Sequence, residues 1–411
     1  MSSAAERAAR QVLLIAVILV GIGVVMVYSS SSALAGTRFE DSGFFLQRQI
    51  LRSGFGLMVM FAMSRIPLRV WRSLARPLLL VGVSLLVLVL VFGEGRGAQR
   101  WLPFRLPALT TITFQPSEFV KLVLVLYLAD VLSRKEGEMA DWKAGLVPRL
   151  VIVGLVLILI VLQPDLGTSL AISAVSLVML WLGGAGTKHL AGACGFGAIV
   201  ALLSVLSSPY QMQRIQTFIG EPDPQGAGFQ VSQALIALGS GGLFGVGLGN
   251  SMQKHFLPEP HTDFVFAFAG EELGLFGTMS VIALFIALAV HGYRIATQAA
   301  TYHGFLLASG ITVMVGLYAL LNVGVATGLM PTTGLPLPFI SYGGSSLLWN
   351  LSGIGILAAV AREKSDSSRA SSVAQGLAWG STARSTASRL GGSPPGGLNG
   401  WTPPTAPAAN R

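Results

Sequence analysis

The chain has 411 residues, 52% of them hydrophobic and only 11% charged, with a formal net charge of +9. That balance excludes an ordinary soluble domain, in which about a quarter of residues are charged, and the basic residues lie scattered between apolar runs with no aromatic-interleaved patch, which argues against a nucleic-acid partner. The single cysteine, Cys194, excludes an intrachain disulfide and a cysteine metal cluster, and within its apolar run it reads as a small packing residue.

Hydropathy predicts an all-α polytopic membrane protein with about ten transmembrane helices, over 11–30, 44–64, 77–93, 116–133, 146–163, 166–183, 187–207, 264–292, 303–328 and 340–361. The first apolar run is longer than a signal-peptide core, so it is expected to be an uncleaved anchor although Ala33-Leu34-Ala35 imitates a cleavage site. Residues 1–10 form a short N-terminal segment and 11–362 the membrane domain, with a large loop at 208–262 between the seventh and eighth helices. Residues 363–411, built of Ser, Ala, Gly, Pro and Arg, form a disordered tail. Lysines and arginines concentrate in the segments that share a side with the N-terminus, among them Arg65, Arg69, Arg72, Arg76, Arg134 and Arg149, which places both termini in the cytoplasm. The loop 208–262, its exit at Asp263, the loop 93–115 and the segment 329–340 are then extracytoplasmic.

Charge near hydrocarbon is costly and marks candidate sites. In chain order, Gly93 to Trp101 is glycine-rich and carries Arg96 and Arg100 beside Trp101; it suits anion binding but lacks phosphate-loop spacing, and Trp101 suits an interfacial anchor equally well. Glu118 and Lys121 share a helix face three residues apart, either as a closed ion pair or with Lys121 open to an anionic ligand. Asp165, in the short turn between two spans, is placed to cap the helix that follows. The densest stretch is 257–274, LPEPHTDFVFAFAGEELG, where Glu259, His261, Asp263, Glu271 and Glu272 meet an apolar helix. An N-cap at Thr262 or Asp263 accounts for one carboxylate there but not for the pair at 271 and 272. Finally, 328–346 has three prolines and four glycines between two spans; irregular backbone at that depth must be buried by protein or water, so it is expected to line a cavity. His255 and His261 lack metal-ligand spacing, and neither a Gly-x-Ser-x-Gly elbow nor a phosphate loop occurs.

The motifs FQPSEFVK, LQPDLGTS, GLGNS followed by Gln253-Lys254, LPEPHTDF, GEELG and PLPFISYGGSS, in that order over about residues 10 to 362, resemble the SEDS family, and lean towards its division branch (FtsW) over its elongation branch (RodA). The resemblance implies a ten-helix peptidoglycan glycosyltransferase that polymerises lipid II on the outer face of the cytoplasmic membrane, at the division septum. It also implies a class B penicillin-binding protein transpeptidase and other divisome membrane proteins as partners. The family's essential loop aspartate falls on Asp263, the candidate general base for the acceptor hydroxyl. Arg100, Lys121 and Lys254 are candidates for the lipid pyrophosphate, and Trp101, Glu118, His261 and Ser341 complete the candidate substrate-binding set. No resident cofactor or metal site is implied, and a divalent-cation requirement stays open. A lipid flippase would use the same charged features, but the polar residues cluster at one face rather than the midplane; a scaffold role is supported only by the tail.

Overall fold

A computed structural model describes residues 4–94, 100–104, 112–134, 139, 142–220, 228–253 and 262–363. Helices stand at each expected span: α1 (Ala4–Phe39), α2 (Phe44–Met63), α3 (Leu68–Phe92), α4 (Pro116–Arg134), α5 (Val147–Val161, entered through a π-helical turn at Trp142–Leu146), α6 (Leu166–Leu182) and α7 (Thr187–Ser207). After α8 (Pro209–Ile219) and α9 (Phe229–Ser240) come α10 (Val265–Thr297), α11 (Tyr302–Ala326) and α12 (Gly344–Glu363). Seven of these are long and apolar enough to cross a membrane on those grounds alone; α6 has 17 residues, and α4 carries Glu118, Lys121 and Asp130 within its span. The segment 208–262 is therefore not plain loop, since it contains α8 and α9. A second departure from helix is the antiparallel pair β1 (Leu102–Phe104) and β2 (Ile112–Phe114), with Leu102 opposite Phe114. At three residues each, these strands are too short to leave an alternation signal in the sequence.

Packing separates centre from edge. Along α4 every residue from Pro116 to Asp130 is buried, Glu118, Lys121 and Asp130 included, the condition of a helix at the centre of a bundle. In α7 only Leu190 is buried, while Phe196, Ile199, Leu202 and Leu206 are exposed, as a lipid-facing flank requires. Cys194 lies exposed on that same helix, so it is not the packing residue its sequence context suggested. Helix α1 runs along α10, α10 along α11 and α3 along α4. The proline-rich segment before α12 is buried against protein: Leu335, Leu337, Phe339 and Ile340 are each at most 2% exposed. A Cβ on Gly23 of α1 would overlap the backbone of Phe339 and Ile340, so the later half of that segment presses directly on α1, while residues 331–334 keep partial exposure.

Helix α10 is interrupted at Gly274, where φ is 68° and ψ is −165°. The break strands backbone groups that in an apolar setting must find partners. The segment after α9 supplies them: Val246 and Gly247 donate N–H to the Glu271 and Glu272 carbonyls at 2.9 and 3.0 Å, and Leu275 and Phe276 donate to the Gly242 and Leu243 carbonyls at 2.9 and 3.2 Å. A Cβ on Gly274 would overlap the backbone of Leu243 and Gly245. Gly274→Ala is accordingly expected to lose at least about 1–3 kcal/mol from backbone conformation alone, measurable as a lowered midpoint for thermal unfolding in detergent.

Candidate active site

Asp263 stands half-buried at the head of α10. The N-cap position of that helix belongs to Phe264, whose side chain makes no capping bond. Contacts with described residues fix part of the aspartate's surroundings. Its backbone carbonyl accepts from Asn322 Nδ2 of α11 at 2.9 Å, and the same nitrogen donates to the Leu335 carbonyl at 2.7 Å, pinning α10 to the proline-rich segment. The carboxylate lies against Gly334, whose φ of +73° favours glycine and where an added Cβ would sit 3.6 Å from Asp263 Oδ2.

The same end of the bundle holds the α5–α6 turn and Arg100. Asp165 caps α6, accepting from Thr168 N–H at 3.3 Å, and is also 3.7 Å from Arg100. Burial pushes the Asp165 carboxyl up from the ordinary carboxylate range, against the opposing pull of Arg100 and of the Thr168 bond. Arg100 Nε donates to the Gln163 carbonyl at 3.1 Å, and its guanidinium also reaches the Pro164 carbonyl, so this arginine clamps the turn. Gly167, at the start of α6, has the backbone of Thr333 against it, and Arg214 of α8 donates to the Thr332 carbonyl at 2.9 Å. Arg100, the α5–α6 turn, Thr333, Gly334 and Asp263 thus form one contiguous surface. Trp101 faces Glu94 in an antiparallel bridge beside it.

Glu118 and Lys121 lie one turn inside α4 and are closed on each other at 2.6 Å, with both side chains 1% exposed. Lys121 Nζ also sits 4.2 Å from the centroid of the Tyr318 ring. Tyr318 and Asn322 are four residues apart on α11, so one helix face holds both the ion pair and Asp263. Ser341 is buried and accepts the Leu337 N–H at 2.8 Å, closing the turn before α12. Lys254 and His261 lie outside the described residues.

Glu271 and Glu272 are 2% and 1% exposed, and the structure gives both a task. Glu272 accepts from Ser29 Oγ of α1 at 2.6–2.7 Å and from Gly249 N–H at 3.1 Å. Glu271 accepts from Met252 N–H at 2.9 Å and from Ser251 Oγ. The two carboxylates therefore tether 249–252, the chain leading towards Lys254, to α1 and α10. Charge-assisted bonds of this kind contribute about 1.5–3 kcal/mol each, and Glu272→Gln keeps the shape while losing the charge. It is expected to raise protease cleavage around 249–252 and to lower the unfolding midpoint, by an amount set by the loss of one such bond. Asn322 and Arg214 escaped the sequence reading. A lone Asn within an apolar span was a signal for the first; Arg214, in a segment taken as loop, had none.

A family model described as cell cycle protein, covering FtsW, RodA and SpoVE, matches residues 10–366. Stage V sporulation protein E of Bacillus subtilis is 42% identical over 356 residues, covering 85% of this chain and 95% of that protein. A probable peptidoglycan glycosyltransferase FtsW of Trichlorobacter lovleyi is 42% identical over 350 residues, 84% of this chain and 91% of the relative. Among solved structures, a chain from work on the structural coordination of polymerization and crosslinking by a peptidoglycan synthase complex superposes with a TM-score of 0.71 at 30% identity, covering 86% of this chain and 97% of its own. The rod shape determining protein RodA of Thermus thermophilus superposes at 0.63, also with 30% identity, covering 86% and 96%.

Proposed function

Because the chain belongs to the SEDS family of FtsW, RodA and SpoVE, we propose that this multi-pass membrane protein is a peptidoglycan glycosyltransferase that polymerises lipid II, with Asp263 as its general base. The observation that carries the base assignment is the placement of Asp263 at a helix head, its backbone carbonyl held by Asn322 and its half-buried side chain against Gly334, while the N-cap position belongs to Phe264. In the reaction the acceptor GlcNAc 4-hydroxyl gives its proton to the Asp263 carboxylate as its oxygen attacks the anomeric carbon of the donor sugar. The bond from that carbon to the lipid pyrophosphate breaks with inversion, and the pyrophosphate leaves with the electron pair. A carboxylate that accepts the proton serves the first event, and cations the second.

Arg100 is a described cation at the surface that adjoins Asp263, as is Arg214 on the Thr332 carbonyl, and Lys254 is the proposed companion of Arg100 for the pyrophosphate. Lys121, closed on Glu118, acts from beneath through its field. Trp101, His261 and Ser341 complete the proposed substrate-binding set. The lipid tail stays in the bilayer while its head group reaches this surface. Relatives named FtsW at 40–42% identity support a division role, and stage V sporulation protein E, also at 42%, keeps a septum-building role in the same branch. A septal location, cytoplasmic termini, a membrane domain over 11–362 and a class B penicillin-binding protein with other divisome proteins as partners belong to the same reading.

The test is polymerisation of lipid II by purified protein in detergent, where nothing remains to be carried across a bilayer. Glycan polymer, increased by the transpeptidase partner, is the expected result; a lack of polymer with and without that partner overturns the reading and favours a transporter.

A further inference from the structure

At the opposite end of the bundle from Asp263, helices α3, α4 and α5 part around a cavity of about 550 Å³. Its position follows from helix direction. Arg76 is near the start of α3, Arg134 ends α4 and Arg149 begins α5, whereas the far ends of α3 and α5 and the start of α4 lead to the surface around Asp263. These three arginines line the cavity together with Leu80, Val131 and Ile152.

Among the described residues the charges do not balance. Asp130, fully buried, is the carboxylate paired here, and three guanidinium groups converge on it: Arg134 at 2.6 Å, Arg72 at 3.1 Å and Arg76 at 3.6 Å. Arg149 adds a fourth positive charge and, among the described residues, has no carboxylate partner. Only 3% of it is exposed; its Nη1 donates to the Ala144 carbonyl at 2.7 Å and to the Gly145 carbonyl, and its buried Nε has no hydrogen-bond partner. A buried guanidinium nitrogen in that condition calls for an acceptor. An anion supplies one, and it offsets the excess positive charge as well.

The walls say which kind of anion. Leu80 is 70% exposed and the Arg76 side chain 61%, so the cavity opens on the apolar flank of the bundle where acyl chains lie. A free phosphate would have no use for that opening, whereas a lipid enters sideways with its phosphate towards the arginines. Basic pockets between transmembrane helices, next to the membrane surface, suit anionic headgroups. We propose that this cavity binds an anionic glycerophospholipid: its phosphodiester accepts from Arg149 Nε and from the Arg76 and Arg134 guanidinium groups, and its first acyl carbons lie against Leu80, Val131 and Ile152. The site is separate from the sugar-handling end and does not depend on the reaction assigned there.

Native mass spectrometry of the full-length protein, delipidated and titrated with phosphatidylglycerol, reads the site directly. One bound phosphatidylglycerol is expected to persist at activation energies that strip phosphatidylcholine, to weaken about tenfold in Arg149→Gln and in Arg76→Gln, the loss of one charge-assisted bond, and to be indifferent to added inorganic phosphate. Arg76 is largely exposed, so its variant keeps the test sharp even if Arg149→Gln fails to fold. Equal retention of phosphatidylcholine, unchanged binding in Arg76→Gln, or displacement by inorganic phosphate would each overturn the proposal, the last in favour of a free-phosphate site.

Discussion

Asp263→Asn is expected to abolish lipid II polymerisation, lowering the rate by about 10²–10⁴-fold, the usual contribution of a positioned general base. Asparagine has the same size, so contact with Gly334 is kept, and the bond from Asn322 goes to the backbone carbonyl, which the substitution does not touch. Thermal stability and binding of a transpeptidase partner should therefore match the parent protein. Polymer length and initial rate on a gel, with the unfolding midpoint measured on the same preparation, separate the two properties. Normal polymer from this variant would remove the base assignment; loss of activity together with loss of fold would show that Asp263 serves the structure instead.

Lys121→Met carries the second large effect. The Lys121–Glu118 pair is closed at 2.6 Å with each side chain 1% exposed, so removing the ammonium leaves a carboxylate uncompensated in the interior. Breaking such a pair costs about 3–5 kcal/mol, whereas replacing both partners by shape-matched neutral groups is often neutral. Lys121→Met alone should unfold well below the parent protein, and Glu118→Gln with Lys121→Met should recover most of the loss. Activity of the double variant then decides the pair's role. A stable but inactive protein means that the buried charges act on the reaction through their field; a stable and active one means that they only join α4 to Tyr318 of α11.

Much of this architecture was legible because membrane helices announce themselves by uninterrupted apolar runs, and helices occur at every predicted span. Asp165 read correctly as a cap because its partner, Thr168, is three residues away. Long-range partners were not legible. Glu272 stood out as charge in an apolar helix, but Ser29 lies 243 positions earlier, and nothing local joins them. Helix α8 was missed because a short polar helix has no hydropathy signal, and the interruption of α10 because glycine is common in membrane helices. The proline-rich segment was rightly expected to be irregular; that it is wedged against Gly23 depends on α1, far away in sequence.

The stretch 242–247 looks like a pliable spacer, with three glycines of positive φ at 242, 245 and 247. Yet its amides and carbonyls stand in for the missing rungs of α10 on both sides of Gly274. It works as a splint whose length is set to the residue: deleting or inserting one position there would shift every rung out of step and unzip a helix that begins twenty residues further along the chain. Tolerance to insertion, usual for glycine-rich connectors, is lost here.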